Sequence, residues 1–343
     1  MRIRIALLAA ALLAAPTTAP ATASATASAT ASATAPASAP ATGMAAAWAA
    51  PHHESIRYAS VKGCKLKGGG EVPCGRWRLV LHSGEQRVLR DAQVVARRAN
   101  GKSAVYPAAP ISVSGDGQKV AYITRAGRLA VRTLDGGVTL LPAGALPRRD
   151  QEVIRLQLSG DGARLAVSIG DDPYGTRVYD TGSGARLGGV AGPHHLAGFS
   201  GDGGELLTVL NGEEGVTDLA VNADTGERLN RVTPPQVIAV NAPPALSGDG
   251  RTIAVWVAGK SRLALYDAQT DQLLKRQRVK LPAGQVHMID WTGDRQVTVH
   301  LERPVGKEIR MTIAQMDTET GAVTIRDRYT LLKDTFVFAS CGG

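Results

Sequence analysis

The segment "ISVSGDGQKVAYI" (111–123) decides the fold, because the chain writes it again three times. Its counterparts are "LQLSGDGARLAVS" (156–168), "AGFSGDGGELLTV" (197–209) and "PALSGDGRTIAVW" (244–256). In each, Ser-Gly-Asp-Gly stands between two apolar runs. Asp-Gly couples a residue tolerant of left-handed geometry to one without a Cβ, which reverses a chain tightly. The flanking runs are short and rich in β-branched types, so they read as buried strands. The motif therefore joins the first strand of a unit to its second. On this reading Asp116, Asp161, Asp202 and Asp249 form turns and do not bind calcium, which needs several clustered oxygens.

The motif serines are Ser114, Ser159, Ser200 and Ser247, and Thr292 in "DWTGDRQVTV" continues the series. Units of 40–50 residues with turns at fixed places are the mark of propeller blades of four strands. Each unit closes on a second punctuation, as in "VYDTGSGARL", "AVNADTGERL", "LYDAQTDQLL" and "QMDTETGAVT". A blade then runs inner strand, Ser-Gly-Asp-Gly, second strand, hairpin, third strand ending near Asp, turn, outer strand.

On these residues the chain resembles the exported bacterial WD40-like and TolB-type propellers, whose blades carry Ser-Pro-Asp-Gly before a Lys/Arg-x-x-Ala strand. Glycine stands here in place of that proline. Tyr179-Asp180 and Tyr266-Asp267 occupy the place of the Trp-Asp pair of eukaryotic repeats. The resemblance spans residues 111–323 and implies a fold only, since such propellers serve many functions.

The ends of the chain predict how the ring closes. "TFVFASCGG" (335–343) matches an inner strand approaching its turn, and three strands are then missing. "SIRYASVKG", "RWRLVLHSG" and "EQRVLRDAQ" near the N-terminus supply a second, third and outer strand. The expected fold is all-β: a propeller of six four-stranded blades, with residues 335–340 lying against 55–61. Internal blades begin near Ile111, Arg155, Ala197, Pro244 and Ile289. Extra strands within 93–109 would make seven.

Three cysteines test that closure. Cys64 and Cys74 flank the loop "KLKGGGEVP" and are expected to form a disulfide, leaving Cys341 a free thiol. A latch from Cys341 to Cys64 or Cys74 is the competing pairing. An oxidising compartment favours such a bond.

The first residues, "MRIRIALLAAALLAAP", place two arginines before an apolar run too short to anchor in a bilayer. With Ala21-Thr22-Ala23 as a cleavage signal, residues 1–23 read as a signal peptide and the protein as secreted or held at the cell envelope. The Ala/Thr/Ser/Pro-rich stretch 24–53 lacks charge and large side chains, which makes it a disordered tether. Residues 54–343 form the propeller domain. No later segment is apolar and long enough for a transmembrane helix.

The formal net charge is +9, and its distribution is uneven. Between Arg57 and Lys102 the bases Arg57, Lys62, Lys65, Lys67, Arg76, Arg78, Arg87, Arg90, Arg97, Arg98 and Lys102 face only Glu71, Glu85 and Asp91. This basic section suits an acidic protein or an anionic envelope polymer. Nucleic acid is not expected, because export removes it and aromatics for base stacking are few.

Nothing assembles into a catalytic signature. Gly-x-Ser-x-Gly, His-Glu-x-x-His and the phosphate-binding loop are all missing. Adjacent histidines such as His194-His195 point to opposite faces of an extended segment and are expected in an exposed loop. His52-His53 falls in the tether; His82, His287 and His300 are isolated. Asp171 and Asp172 sit on a loop without paired geometry. Trp77, Trp256 and Trp291 suit blade packing. The sequence thus points to a non-catalytic, monomeric scaffold that binds a protein or envelope polymer, without cofactor or metal. The alternative is an exported lactonase- or hydrolase-type propeller with residues dispersed around its channel.

Overall fold

A computed structural model describes residues 54–170, 175–211, 216–241 and 243–342. The proposed signal peptide, the tether with His52-His53, and Asp171-Asp172 lie outside these residues. The described residues form six four-stranded antiparallel sheets and one small two-stranded sheet. The first sheet contains β1 (Ile56–Lys65), β2 (Glu71–Leu81) and β3 (Gln86–Leu89). A two-stranded hairpin, β4 (Val95–Arg97) and β5 (Ser103–Ala108), follows it. It occupies the stretch that left a seventh blade open, and it makes no blade.

Five sheets then follow in chain order. They are β6–β9 (Ile111–Val113, Lys119–Ile123, Leu129–Thr133, Val138–Leu140) and β10–β13 (Ile154–Leu158, Arg164–Ile169, Thr176–Asp180, Arg186–Val190). Next come β14–β17 (His195–Phe199, Glu205–Asn211, Thr217–Ala223, Arg228–Val232) and β18–β21 (Pro244–Leu246, Thr252–Val257, Arg262–Asp267, Gln272–Arg278). The last is β22–β25 (Gln285–Gly293, Gln296–Val305, Glu308–Asp317, Val323–Thr330). The chain ends with β26 (Thr335–Ser340), which is the inner strand of the first sheet. Tyr58 pairs with Ser340, Ala59 with Ala339 and Val61 with Val337. The ring is a six-bladed propeller closed by the two ends of the chain.

Each blade buries its middle strands. Val120, Ala121, Tyr122 and Ile123 on β7, and Ile253, Ala254 and Val255 on β19, are almost inaccessible. At about 25 cal/mol per Å² of apolar surface, these runs supply the main stabilisation in a chain with few aromatics. Trp77, Trp256 and Trp291 are buried among neighbouring strands, as blade packing requires.

The Ser-Gly-Asp-Gly turns show what each residue contributes. Ser159 Oγ donates to Asp161 Oδ1 at 2.7 Å, and Ser200 Oγ to Asp202 Oδ1 at 2.7 Å. That Asp oxygen accepts the N–H two residues on, from Ala163 at 2.9 Å and Gly204 at 3.0 Å. The serine oxygen also accepts the N–H of Arg164 or Glu205. Ser114–Asp116 and Ser247–Asp249 repeat the pattern. The second glycines, Gly117, Gly162, Gly203 and Gly250, have φ of +67°, +65°, +81° and +66°, where any Cβ is strained.

The first glycine answers to a different force. A Cβ on Gly115 would lie 3.0 Å from the Gly160 Cα of the next blade, and one on Gly201 2.9 Å from the Trp291 carbonyl oxygen. Gly342, at the place of the motif aspartate, makes a like approach, since a Cβ there would lie 3.1 Å from Gly115 Cα. Asp116 N–H donates to Gly160 O at 2.8 Å. Neighbouring turns therefore touch through backbone, which explains glycine where related repeats have proline. Gly248 has room, its nearest neighbour being 3.6 Å away.

Thr292 departs from the series. Gly293 pairs with Gln296, which leaves a two-residue turn, and the Thr292 hydroxyl meets that of Thr298 at 2.8 Å.

Candidate functional site

Antiparallel order fixes two unlike faces. Inner strands run towards the Ser-Gly-Asp-Gly turns, so those turns and the third-to-outer turns share one face. The opposite face carries the second-to-third hairpins and the connections between blades. On that face lie the β1–β2 hairpin and the β4–β5 hairpin, the latter inserted where the first sheet's outer strand leads to β6.

The β4–β5 hairpin is fastened to the next inter-blade connection. Arg97 N–H donates to Gln151 Oε1 at 2.7 Å and Ala99 N–H to Asp150 Oδ1 at 2.7 Å. Val105, on β5, has φ +72°, an outlier for a β-branched residue. Beside it Tyr106 is 62% exposed. The strained strand thus presents an aromatic ring to solvent.

Tyr106 is on the rim of a funnel of about 850 Å³. Trp77, Ile111, Leu156, Leu196, Phe336 and Phe338 line it, with Glu152, Arg155 and Gln157 as polar groups. Below, the channel itself holds a cavity of about 300 Å³ that shares Ile111, Leu156, Gln157, Ala197 and Ala339 with the funnel. Half of its lining is small or hydroxyl-bearing, including Ser112, Ser200, Thr292, Ser340, Gly115 and Gly342.

One charge projects into this cavity. Asp290, on inner strand β22, lines it, and the Asp290 Oδ2 atom is enclosed without a hydrogen-bond partner. Burial with nothing to offset it lifts the carboxyl from 3.8 to about 7. Aligned on the repeat, Ser112, Gln157, Gly198, Ala245 and Phe338 occupy the same place in the other blades. Only Asp290 is ionisable there. That alignment was the available signal, and motif reading passed over it.

The predicted disulfide is present between Cys64 and Cys74, whose Cα atoms are 5.8 Å apart. It staples the β1–β2 hairpin, where Gly68, Gly69 and Gly70 all have positive φ and open space around them. Cys341 is a buried thiol, so the latch pairing is not formed.

The eleven bases do not act as one surface. Arg57 pairs with Asp327 at 2.8 Å at the seam between the last and first sheets, and Arg78 pairs with Asp334 at 2.9 Å. Arg87 pairs with Glu85 at 2.8 Å and meets Glu54 at 3.4 Å, while Arg97 donates to the Arg125 carbonyl. Lys62, Lys65, Lys67 and Arg76 are exposed on the stapled hairpin, one strand away from Phe336 and Val337. Arg98 and Lys102 are exposed at the tip of β4–β5, and Arg90 is exposed beyond β3.

The histidines correct one expectation. His195 is exposed, but His194 is only 5% accessible, because β14 begins there and its alternation turns one ring inward. Burial lowers the His194 pKa. His300 is buried on β23, against the Gly342 backbone, and burial pulls it down to about 3. His287 stacks on Phe338 with centroids 5.1 Å apart and faces Glu302 at 3.5 Å. No group of three or more His, Cys, Asp or Glu with metal-binding geometry occurs among the described residues.

No family model matches the chain, and no curated protein matches it either. Solved structures with a similar fold include a TolB from Acinetobacter baumannii, at 16% identity and TM-score 0.45, covering 85% of this chain and 68% of that one. A putative TolB from Agrobacterium tumefaciens aligns at 15% identity and TM-score 0.44, over 80% of this chain and 90% of that one. The Cps50 (Swd1) β-propeller domain of Myceliophteria thermophila aligns at 15% identity and TM-score 0.41, over 70% and 73%.

Proposed function

We propose that this chain is an exported, non-catalytic propeller that binds an acidic protein partner on the face carrying its long connections. The observation that carries the reading is a juxtaposition on that face. An apolar funnel with Tyr106 and Val337 exposed at its rim adjoins four exposed bases, Lys62, Lys65, Lys67 and Arg76, on a disulfide-stapled hairpin. Exposed apolar surface of this kind marks interaction sites, and aromatic anchors dominate their energetics. The bases add long-range attraction for negative charge and set the register of docking. Export is supported by the leader-like first residues and by the disulfide.

A photo-crosslinking side chain placed at Tyr106, and separately at Asp135 on the opposite face, tests this in the native host. A discrete protein adduct is expected at Tyr106 and not at Asp135. Reversing Lys65, Lys67 and Arg76 to Glu should remove most of the adduct, as should raising salt from roughly 0.05 to 0.5 M, where the Debye length falls below about 5 Å. Equal adducts at both positions, or none at either, overturn the reading. Retention on an anionic polymer without any protein adduct would replace the protein partner by an envelope polymer.

A further inference from the structure

The channel holds a charge that the fold does not use. The enclosed Oδ2 atom of Asp290 has no hydrogen-bond partner, and no Lys or Arg lies among the residues lining its cavity. Among the polar groups lining the cavity with it are the neutral Ser112, Gln157, Ser200, Thr292 and Ser340. Elsewhere in the repeat, several acidic groups are matched by arginine. Asp180 and Asp224 share Arg164, and Asp267 binds Arg251. An enclosed carboxylate left bare is destabilising, and retained polar strain of this kind concentrates at functional sites.

We infer that Asp290 anchors a small-molecule site in the channel, which takes an organic ammonium with its charged head on the Asp290 carboxylate and its apolar body in the funnel above. The shape follows from the two connected cavities. From Ser340, which lines the cavity with Asp290, up to Phe336 in the funnel is four strand residues, about 13 Å at 3.3 Å each. A single carboxylate suits one ammonium better than a metal ion, which needs more oxygen ligands. The apolar wall above it has no role for a bare ion. The site lies beneath the partner face and does not require that reading to hold.

The only other titratable group lining the cavity is His287, from the same strand, which faces Glu302 and Phe338. β6, β10, β14 and β26 contribute none; β23, which pairs with β22, carries the buried His300 against Gly342, and Glu152 and Arg155 stand higher, in the funnel. Deprotonation of Asp290 favours a cation at high pH.

Calorimetric titration of the folded domain with n-octylammonium chloride, kept below micelle formation, tests the site. Saturable one-to-one binding is expected at pH 8, at least tenfold tighter than for n-octanol or octanoate. Asp290→Asn should weaken it tenfold or more. Binding by wild type should weaken similarly between pH 8 and pH 5.5, and His287→Gln should keep most of that loss. This pH series serves even if Asp290→Asn fails to fold. Equal binding of octanoate, unchanged binding by Asp290→Asn, or displacement of octylammonium by millimolar Ca²⁺ would overturn the inference. The crosslinking at Tyr106 reads the partner reading separately, so either can fail alone.

Discussion

The two faces of this ring are made by the same repeats and obey different rules. On the Ser-Gly-Asp-Gly face the turns are alike, and backbone meets backbone between blades: Gly115 on Gly160, Gly342 on Gly115, Gly117 on Ile56. On the other face the connections vary in length and contain β4–β5, a four-residue helix at Gln236–Ala239 and the stapled hairpin. Close approach fixes sequence on the first face; on the second, side chains are free to diversify. Substituting glycines on each face measures the difference directly. Gly117→Ala places a Cβ 2.5 Å from the Ile56 carbonyl oxygen at φ +67°, and neither backbone can yield. A loss of about 3–5 kcal/mol in denaturant unfolding is expected. Gly69→Ala, at φ +102° with open space around it, should lose only about 1–2 kcal/mol, the left-handed penalty alone. Equal losses would remove the distinction between the faces.

The seam between the last and first sheets offers a second contrast, because it joins the two ends of the chain and is unusually polar. Arg57 pairs with Asp327 and lies 5.2 Å over the Tyr329 ring, which in turn stacks on Tyr58 with centroids 5.3 Å apart. His82 approaches Asp327 at 3.8 Å. Arg57→Ala leaves a mostly buried carboxylate unpaired and should destabilise by about 2–3 kcal/mol, discounted for partial exposure. Arg57→Met with Asp327→Leu should recover most of that loss. Failure to recover it would mean that the cation over Tyr329 matters more than the ion pair.

Removing the disulfide acts on the open face alone. Cys64→Ser with Cys74→Ser frees a short loop and is expected to lower stability by about 2–3 kcal/mol, seen as a lower melting midpoint. If the bases of the hairpin work as a rigid array, crosslinking at Tyr106 should fall in parallel. A stability loss without a crosslinking loss would make the staple purely structural.

Blade number, closure and the Cys64–Cys74 pair were legible because each follows from periodic spacing and strand alternation. A repeat displays its own register, and a missing inner strand displays itself as a remainder. The first glycine of the motif was legible as a turn residue but not as a contact residue, because its neighbour, Gly160 for Gly115, is a whole repeat away. The basic section was readable as a charge run, but which of its bases pair with acids was not. Whether a base is exposed depends on acids such as Asp327 and Asp334 from the far end of the chain. The funnel was not legible, since Trp77, Tyr106, Leu156 and Phe336 meet only after the ring has closed. Asp290 was the readable exception, one carboxylate at a place where five aligned blades have none.

Asp290 also gives the smallest and most diagnostic effect, through pH. Its folded pKa, about 7, lies above the ordinary 3.8, so between those values the native state holds a proton that the unfolded chain has lost. Stability from this group is therefore full below about pH 4 and declines as pH rises to 7. His300 works in the opposite sense. Its folded pKa, about 3 against 6.5, makes the native state refuse a proton the unfolded chain accepts, so stability declines as pH falls from 6.5 to 3. Between pH 4 and 6.5 the slopes from these two groups oppose each other. Asp290→Asn removes one slope. The variant should match wild type near pH 4 and exceed it by about 2 kcal/mol at pH 8, with channel water taken into account. A bound organic ammonium would erase that advantage by giving the wild-type carboxylate its missing partner. A variant no more stable than wild type at pH 8, without added ligand, would mean that channel water already solvates Asp290, and the channel would then be as inert as the closed face beneath it.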